Sequence, residues 1–493
     1  SDVYKRQLNT DGSLAGTPTQ TGTFSFGVEV TDGTVPPQSR TAQFSITVVD
    51  TLIVTTATLP DAVVGSPYSY SLSAAGGSPP YSWSETTSSL ASYNLSLASD
   101  GTVSGTPSQA GVCNFSVEVR DSSSPQLTAT KDLQLRIVEP LSIATTALPE
   151  GEVGLSYSAT ITATGGATPY TWSVLQAPAW ATVQQTGNDL QVTGTPSSDG
   201  QFTLEVSVSD ATQPLPQSQT QTFTITIWPE LAIGQSNLPD GEVGVPYAGN
   251  LVATRGKPPY TWSEVGSSLS NWGLSLDAGG NVTGTPSKDG VCTFEAKVTD
   301  ALGVSRQAQF TVTIHPELVI QTQNLPEGEE GLPYSADLTA AGGTGNYTWS
   351  VSPSLPSNLQ LSSSGHISGT PQSGTGGQTY NLTFTVSDGI GSKDLTTTLT
   401  IYEALQITTT ARPDGFVGVP YNGALAATGG ASPLTWSEVG SNLGTYNLTL
   451  QSNGDITGTP NTTGTCTFTA QVTDALGAQD QKQLTIDIVQ GTP

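Results

Sequence analysis

The chain has 493 residues, only 11% of them charged, and 40 acidic against 14 basic side chains leave a formal charge of −26. That balance repels phosphate backbones and anionic headgroups within a Debye length, and the seven lysines and seven arginines form no basic run. Nucleic acid is argued against as a partner, and no segment offers direct membrane insertion. Met is absent even at position 1, so the sequence reads as a fragment or a processed product.

Residues 1–7, SDVYKRQ, stand off the pattern that follows, with Arg6 where later copies carry leucines such as Leu95 and Leu448, and are set aside as a foreign scar. From there a word of almost 89 residues recurs. The prolines Pro60, Pro149, Pro239, Pro326 and Pro413 are spaced 89, 90, 87 and 87 apart, and Trp83, Trp172, Trp262, Trp349 and Trp436 keep the same beat. A fixed period of this kind marks an array of like modules. Residues 1–50 hold the second half of one unit, from the G-T-P ending at Pro18 through Val49, and whole units follow at 51–139, 140–229, 230–316, 317–403 and 404–493. Half a sandwich exposes open edges and half a core, so it requires strands from upstream or from another chain.

Within 51–139, apolar residues alternate with Ser and Thr over short runs broken by Gly, Pro, Asn and Asp, which predicts half-buried strands and no helix. A first strand runs over Leu52–Val54, a second carries Tyr68, Tyr70 and Leu72, and a third carries Tyr81, Trp83 and Glu85. Leu95 and Leu97 make a fourth, and S-G-T-P after Val103 turns a corner, because proline cannot donate to a ladder and glycine admits unusual dihedrals. Cys113, Phe115, Val117 and Val119 point inward from a long strand that ends at Asp121. Leu133, Leu135 and Ile137 close the module. The fold class is therefore all-β, a tandem array of seven-stranded two-sheet sandwiches, five complete plus one N-terminal half.

Only two or three residues separate one module from the next, as in V-E-P-L at 138–141 and H-P-E-L at 315–318. Linkers this short cannot act as flexible coil and predict a stiff rod, with Val138, Trp228, His315 and Tyr402 packing one module on the next. The modules alternate. Units 51–139, 230–316 and 404–493 (type A) pair W-S-E at Glu85, Glu264 and Glu438 with Cys113, Cys292 and Cys466. The others (type B) read Val174 and Val351 after W-S, with Phe24, Phe202 and Tyr380 in the cysteine's place. One cysteine per module forms no disulfide within it. The alternation reads either as a duplicated pair or as two kinds of face.

The words L-P-x-G-x-x-G-x-P-Y at Leu238–Tyr247, P-Y-T-W-S at Pro259–Ser263, T-G-T-P at Thr283–Pro286 and V-x-D at Val298–Asp300 resemble the immunoglobulin-like repeats of bacterial and archaeal surface proteins, which are similar to dystroglycan-type cadherin-like modules. The resemblance covers nearly the whole chain. It implies the sandwich fold and an extracellular or cell-surface place, and it leaves function open among stalks, adhesins and accessory arrays of secreted hydrolases. Arg255, Leu434 and Ala62 depart from the pattern at packing positions.

Catalytic parts are thin. The two histidines, His315 and His366, do not recur, and neither a Cys-His pair nor a glycine-rich phosphate loop is present, so no enzyme is expected and no cofactor required. Acids recur at strand ends and joints: Asp121 with Glu139, Asp210 with Glu230, Asp300 with Glu317, and Asp388 with Glu403. Two readings stand for them. Asp at a strand end bonds its own turn, whereas the resemblance to cadherin-like modules implies calcium gathered at the joints. Asn94, Asn114, Asn281, Asn346, Asn381, Asn447 and Asn461 open N-x-S/T sequons and are candidate glycosylation sites. Trp180, Trp272, Tyr93 and Tyr446 are candidate sugar-stacking platforms. The leading expectation is a structural surface protein that joins copies of itself or other surface proteins as a stalk, filament or surface layer. An adhesin gripping glycans and an accessory array of a secreted hydrolase are the alternatives.

Overall fold

The computed structural model describes residues 6–491, so the first five residues of the off-pattern heptad lie outside the described residues. The chain forms two compact units, Ser1–Glu230 and Leu231–Pro493. Five separate hydrophobic cores recur along it, beginning at Leu52, Leu141, Leu231, Leu318 and Leu405.

In the repeat 51–139 the long strand Gly111–Arg120 buries Cys113, Phe115, Val117 and Val119 and turns Val112 and Asn114 to solvent, the period of two that a half-buried strand requires. It pairs antiparallel with Thr128–Val138 on one side and Ser82–Glu85 on the other. Ala62–Val63 completes this four-stranded sheet by running parallel to the closing strand, with Ala62 opposite Ile137. Facing it stand Tyr68–Ser71, Thr102–Gly105 and Leu95–Leu97. The same two sheets recur in each later repeat.

The opening strand differs from expectation. It splits, with Ile53–Val54 paired to Ala74–Ala75 before the chain crosses to the other sheet at Ala62. The crossing is tied by the L-P word, whose proline carbonyl accepts the phenol of a tyrosine eight residues on: Tyr157 to Pro149 at 2.9 Å, Tyr247 to Pro239 at 3.0 Å, Tyr334 to Pro326 at 2.9 Å. A buried phenol needs such an acceptor, which explains why the L-P word and this tyrosine travel together. Sequence periodicity also missed a single 3₁₀ turn, Leu90–Tyr93, repeated at Leu269–Trp272 and Leu443–Tyr446. One turn is too short to establish a helical period.

Residues 6–50 form two hairpins, Arg6–Leu8 with Leu14–Gly16 and Gly22–Thr31 with Ser39–Val48. Phe26 stacks on Phe44 at 6.1 Å, yet Phe44 is 52% exposed and Val30 69%, where their counterparts Leu133 and Val119 are buried. The inner face of this half unit is open.

The G-T-P corner depends on glycine. Gly284 has φ +144°, and a Cβ there would lie 2.2 Å from the Gly273 carbonyl oxygen, whereas Gly303 at φ +83° faces open space. Gly284→Ala is therefore expected to destabilise its repeat by about 2–4 kcal/mol and Gly303→Ala by only about 1, as read by urea unfolding.

Candidate functional site at the joints

In the five whole repeats the long strand ends in an aspartate removed from water, with Asp121 at 1% exposure and Asp210, Asp300, Asp388 and Asp474 at 6%, whereas Asp32 of the half unit is exposed. A buried carboxylate is tolerated only when its lone pairs are filled, and here backbone amides of two loops fill them. Asp388 Oδ2 accepts the Thr344 N–H at 2.7 Å while Oδ1 accepts those of Ile390 and Gly391 at 3.0 and 2.8 Å. Asp300 and Asp474 repeat this with Lys257, Leu302 and Val304, and with Ala431, Leu476 and Ala478. Burial works to raise Asp210, but bonds from Thr212, Ala167 and Gln217 outweigh it and hold the carboxyl below its ordinary range.

Within each compact unit, the Asp210, Asp388 and Asp474 knots stand where one repeat meets the one before it, and the joint before 140 differs from those before 317 and 404. In the first, the Leu141 N–H donates to Gln217 Oε1 at 3.1 Å, and Gln217 Nε2 donates to Asp210 Oδ2 at 3.0 Å. Asp61 and Arg136 of the preceding repeat clamp each other and grip the next: Asp61 Oδ2 accepts the Gln213 N–H at 2.7 Å, and Arg136 donates to the Ala211 carbonyl. In the joint before 317, Glu242 of the preceding repeat takes the place of that glutamine. Its Oε1 accepts the Leu318 N–H at 2.8 Å, and its side chain meets Asp388. Before 404, Glu329 accepts the Leu405 N–H at 2.7 Å and meets Asp474. Both glutamates are at most 2% exposed, and among the described residues neither Oε2 has a hydrogen-bond donor. Burial first, then Asp474, pushes the Glu329 carboxyl up to about 7, and burial with the Asp388 charge raises Glu242.

The residues read from sequence fall differently. Glu139, Glu230, Glu317 and Glu403 are exposed, Glu317 paired with Lys393 at 2.7 Å, while Asp121, Asp210, Asp300 and Asp388 are buried and surrounded by N–H donors. Among the described residues no group of three or more His, Cys, Asp or Glu is arranged to hold a metal ion. Trp228, His315 and Tyr402 each bond an acid of their own repeat: Trp228 Nε1 donates to Glu150 at 2.6 Å, His315 Nε2 lies 3.1 Å from Asp240, and Tyr402 bonds Glu327. Glu242 and Glu329 were missed. Their signal was present, an acid after glycine in a strand whose side chain has no reason to be charged.

All seven sequon asparagines are exposed, but Asn94 and Asn447 donate their amides to the carbonyls of Thr106 and Thr459 at 2.8 Å. Asn281 likewise donates its amide to Asp277 Oδ2 at 2.9 Å, while Asn114, Asn346, Asn381 and Asn461 stand on exposed surface. The four loop aromatics pack at the rim. Trp180 meets Tyr157 and Phe202 edge-on, Trp272 lies under Lys288 at 4.4 Å, and the Tyr93 and Tyr446 hydroxyls reach backbone carbonyls.

The A/B alternation has a local cause. In type A repeats the glutamate of W-S-E caps the 3₁₀ turn: Glu85, Glu264 and Glu438 accept the N–H of Leu90, Leu269 and Leu443. That leucine is wholly buried, and the small cysteine on the facing strand belongs to the same core. In 140–229 no such turn forms; a six-residue strand, Ala181–Thr186, replaces it, and Trp180 and Phe202 fill the space. Burial pushes the Cys113 and Cys466 thiols up to about 11, which leaves them protonated and unreactive.

Repeated two-sheet sandwiches with carboxylate-lined joints define a tandem immunoglobulin-like array. The family described as Putative Ig domain matches residues 50–137, 139–227, 232–315 and 316–402, and the chain belongs to that family. Among solved structures, the human desmocollin-1 ectodomain is 13% identical, covering 89% of this chain and 99% of its own, with a TM-score of 0.27. Sidekick-1 immunoglobulin domains 1–5 are 12% identical with the same coverage and TM-score. No curated protein matches the chain.

Glu264→Ala strands the Leu269 amide and is expected to cost its repeat about 1–3 kcal/mol, with Glu264→Gln costing less; chemical denaturation of the two variants checks the order.

Proposed function

We propose that this chain is a non-enzymatic structural component of an extracellular surface array, its sandwiches spacing and joining surface proteins. Family membership and the short, hydrogen-bonded joints within each compact unit support this reading. The observation that carries the assembly part is the open inner face at 22–48, where Phe44 and Val30 stand in water although their counterparts elsewhere are core. Exposed aromatic and β-branched residues beside free strand edges are satisfied by added strands. Strands like those at the front of a type B repeat, supplied from upstream or by another chain, would complete this sandwich. No helix among the described residues is long and apolar enough to cross a membrane. Exposed Asn114 and Asn381, facing out from long strands, suit glycosylation in such a setting.

Three measurements test it. Sedimentation velocity is expected to show self-association that disappears when residues 1–50 are removed, or when a separate 140–199 fragment occupies the face; association unaffected by both sinks the assembly reading. Melting in calcium and in chelator tests the cation reading of the joint acids: a higher melting temperature in calcium supports it, and superimposable curves remove it. Intact mass before and after glycosidase decides the sequons.

A further inference from the structure

Two carboxyl groups that meet away from water, with no donor between them, attract only if something positive lies in the gap. At the joint before 404 the amides of Ala431, Leu476 and Ala478 already fill the Asp474 oxygens, and the Leu405 amide fills Glu329 Oε1. A hard cation wants six or more oxygens, and this gap offers few free ones inside a ring of N–H donors. A proton needs only the two facing oxygens. We propose that the joints before 317 and 404 are proton-locked: one proton shared between Glu242 and Asp388, and one between Glu329 and Asp474, holds each repeat on the next, and its loss loosens the joint.

The joint before 140 is the non-titrating comparison. There Val63 stands at the glutamate's position, and Gln217, on the same repeat as Leu141 and Asp210, accepts from the one and donates to the other with an amide that cannot titrate in this range. A protonated glutamic acid is the glutamine's isostere.

The charged neighbours separate the two locks. Around Glu242 lie Asp388 and Lys393, the latter paired with Glu317, and the adjoining strand places His315, whose ring is turned to Asp240. Around Glu329 lies Asp474; Tyr402 on the adjoining strand turns to Glu327, and Glu330 is taken up by the Gly374 and Gly376 amides. Asp480 stands in the register position of Lys393, opposite the strand's last valine, and holds the Ile407 amide. With no lysine beside it, the Glu329 lock keeps its proton to higher pH. With no histidine there, it also gives the cleaner test.

The sign follows from linkage. Burial and then Asp474 raise Glu329 from 4.5 to about 7 in the closed joint, while Asp474, its burial outweighed by Glu329 and backbone bonds, is held low and stays charged. Across that window the closed joint holds one more proton than the open one. Closure is therefore strongest toward the acid end, weakens as pH rises to about 7, and changes little beyond.

Hydrogen exchange by mass spectrometry on the full chain reads this, with rates corrected for intrinsic chemistry. Opening of the peptide containing Leu405 is expected to rise on the order of a hundredfold from about pH 5 to 8, because each tenfold fall in proton activity through the window weakens closure about tenfold, while the peptide containing Leu141 stays level. Glu329→Gln should stay closed throughout. Wild-type pH dependence retained in E329Q, or Leu141 tracking Leu405, overturns the proposal. So does protection that follows calcium and chelator at every pH. Should E329Q not fold, infrared spectroscopy of the wild type decides: a protonated-carboxyl C=O band at about pH 6 that fades by about pH 8 supports the lock, and its absence at about pH 6 overturns it.

Discussion

A carboxylate taken out of water must be given hydrogen bonds, and most of the architecture around each joint answers that requirement. The aspartate at the end of the long strand draws in amides from its own turn and from the loop before the tryptophan strand, as Asp388 does with Ile390, Gly391 and Thr344. Two loops distant in sequence are thereby pinned at the end of the sandwich that receives the preceding repeat. Asp474 pulls in Glu329, whose other oxygen holds the first buried leucine of the next core. One buried charge thus organises a turn, a loop and a neighbour.

The chain meets this requirement in two ways. Before 140 a glutamine and an Asp61–Arg136 clamp do the work, and Val63 occupies the position that glutamate holds elsewhere. Before 317 and 404 a second acid does it. Neutral and acid-pair joints therefore differ in chemistry rather than in fold, since the strands on either side keep the same order. The A/B alternation is separate and lies deeper in each sandwich, where Glu264, Leu269 and Cys292 act as one set and Trp180 with Phe202 as another. Exchanging one member without the others would leave a cavity, a clash or an unpaired amide.

Much of the sandwich was legible in the sequence because strands declare themselves by a period of two, and Phe115, Val117 and Val119 follow it without exception. The tyrosine and proline of the L-P and P-Y words were visible as a recurrence, but the bond joining them was not. The strand-end aspartates were visible too, with both readings open, and the structure surrounds them with amides. The glutamates that matter at the joints were passed over in favour of Glu317 and Glu403, which lie exposed. Sequence distance hid them: Glu329 meets a leucine 76 positions away and an aspartate still farther on.

By itself the sequence determined the repeat, the all-β class and the inward set of each strand, because these depend on local pattern and on the cost of exposing apolar surface. Only the tertiary structure decided which acids are buried, which amides they hold and which pairs of carboxyls face each other. Those outcomes rest on burial and on contacts between repeats, and both arise only once separate sandwiches have folded and docked.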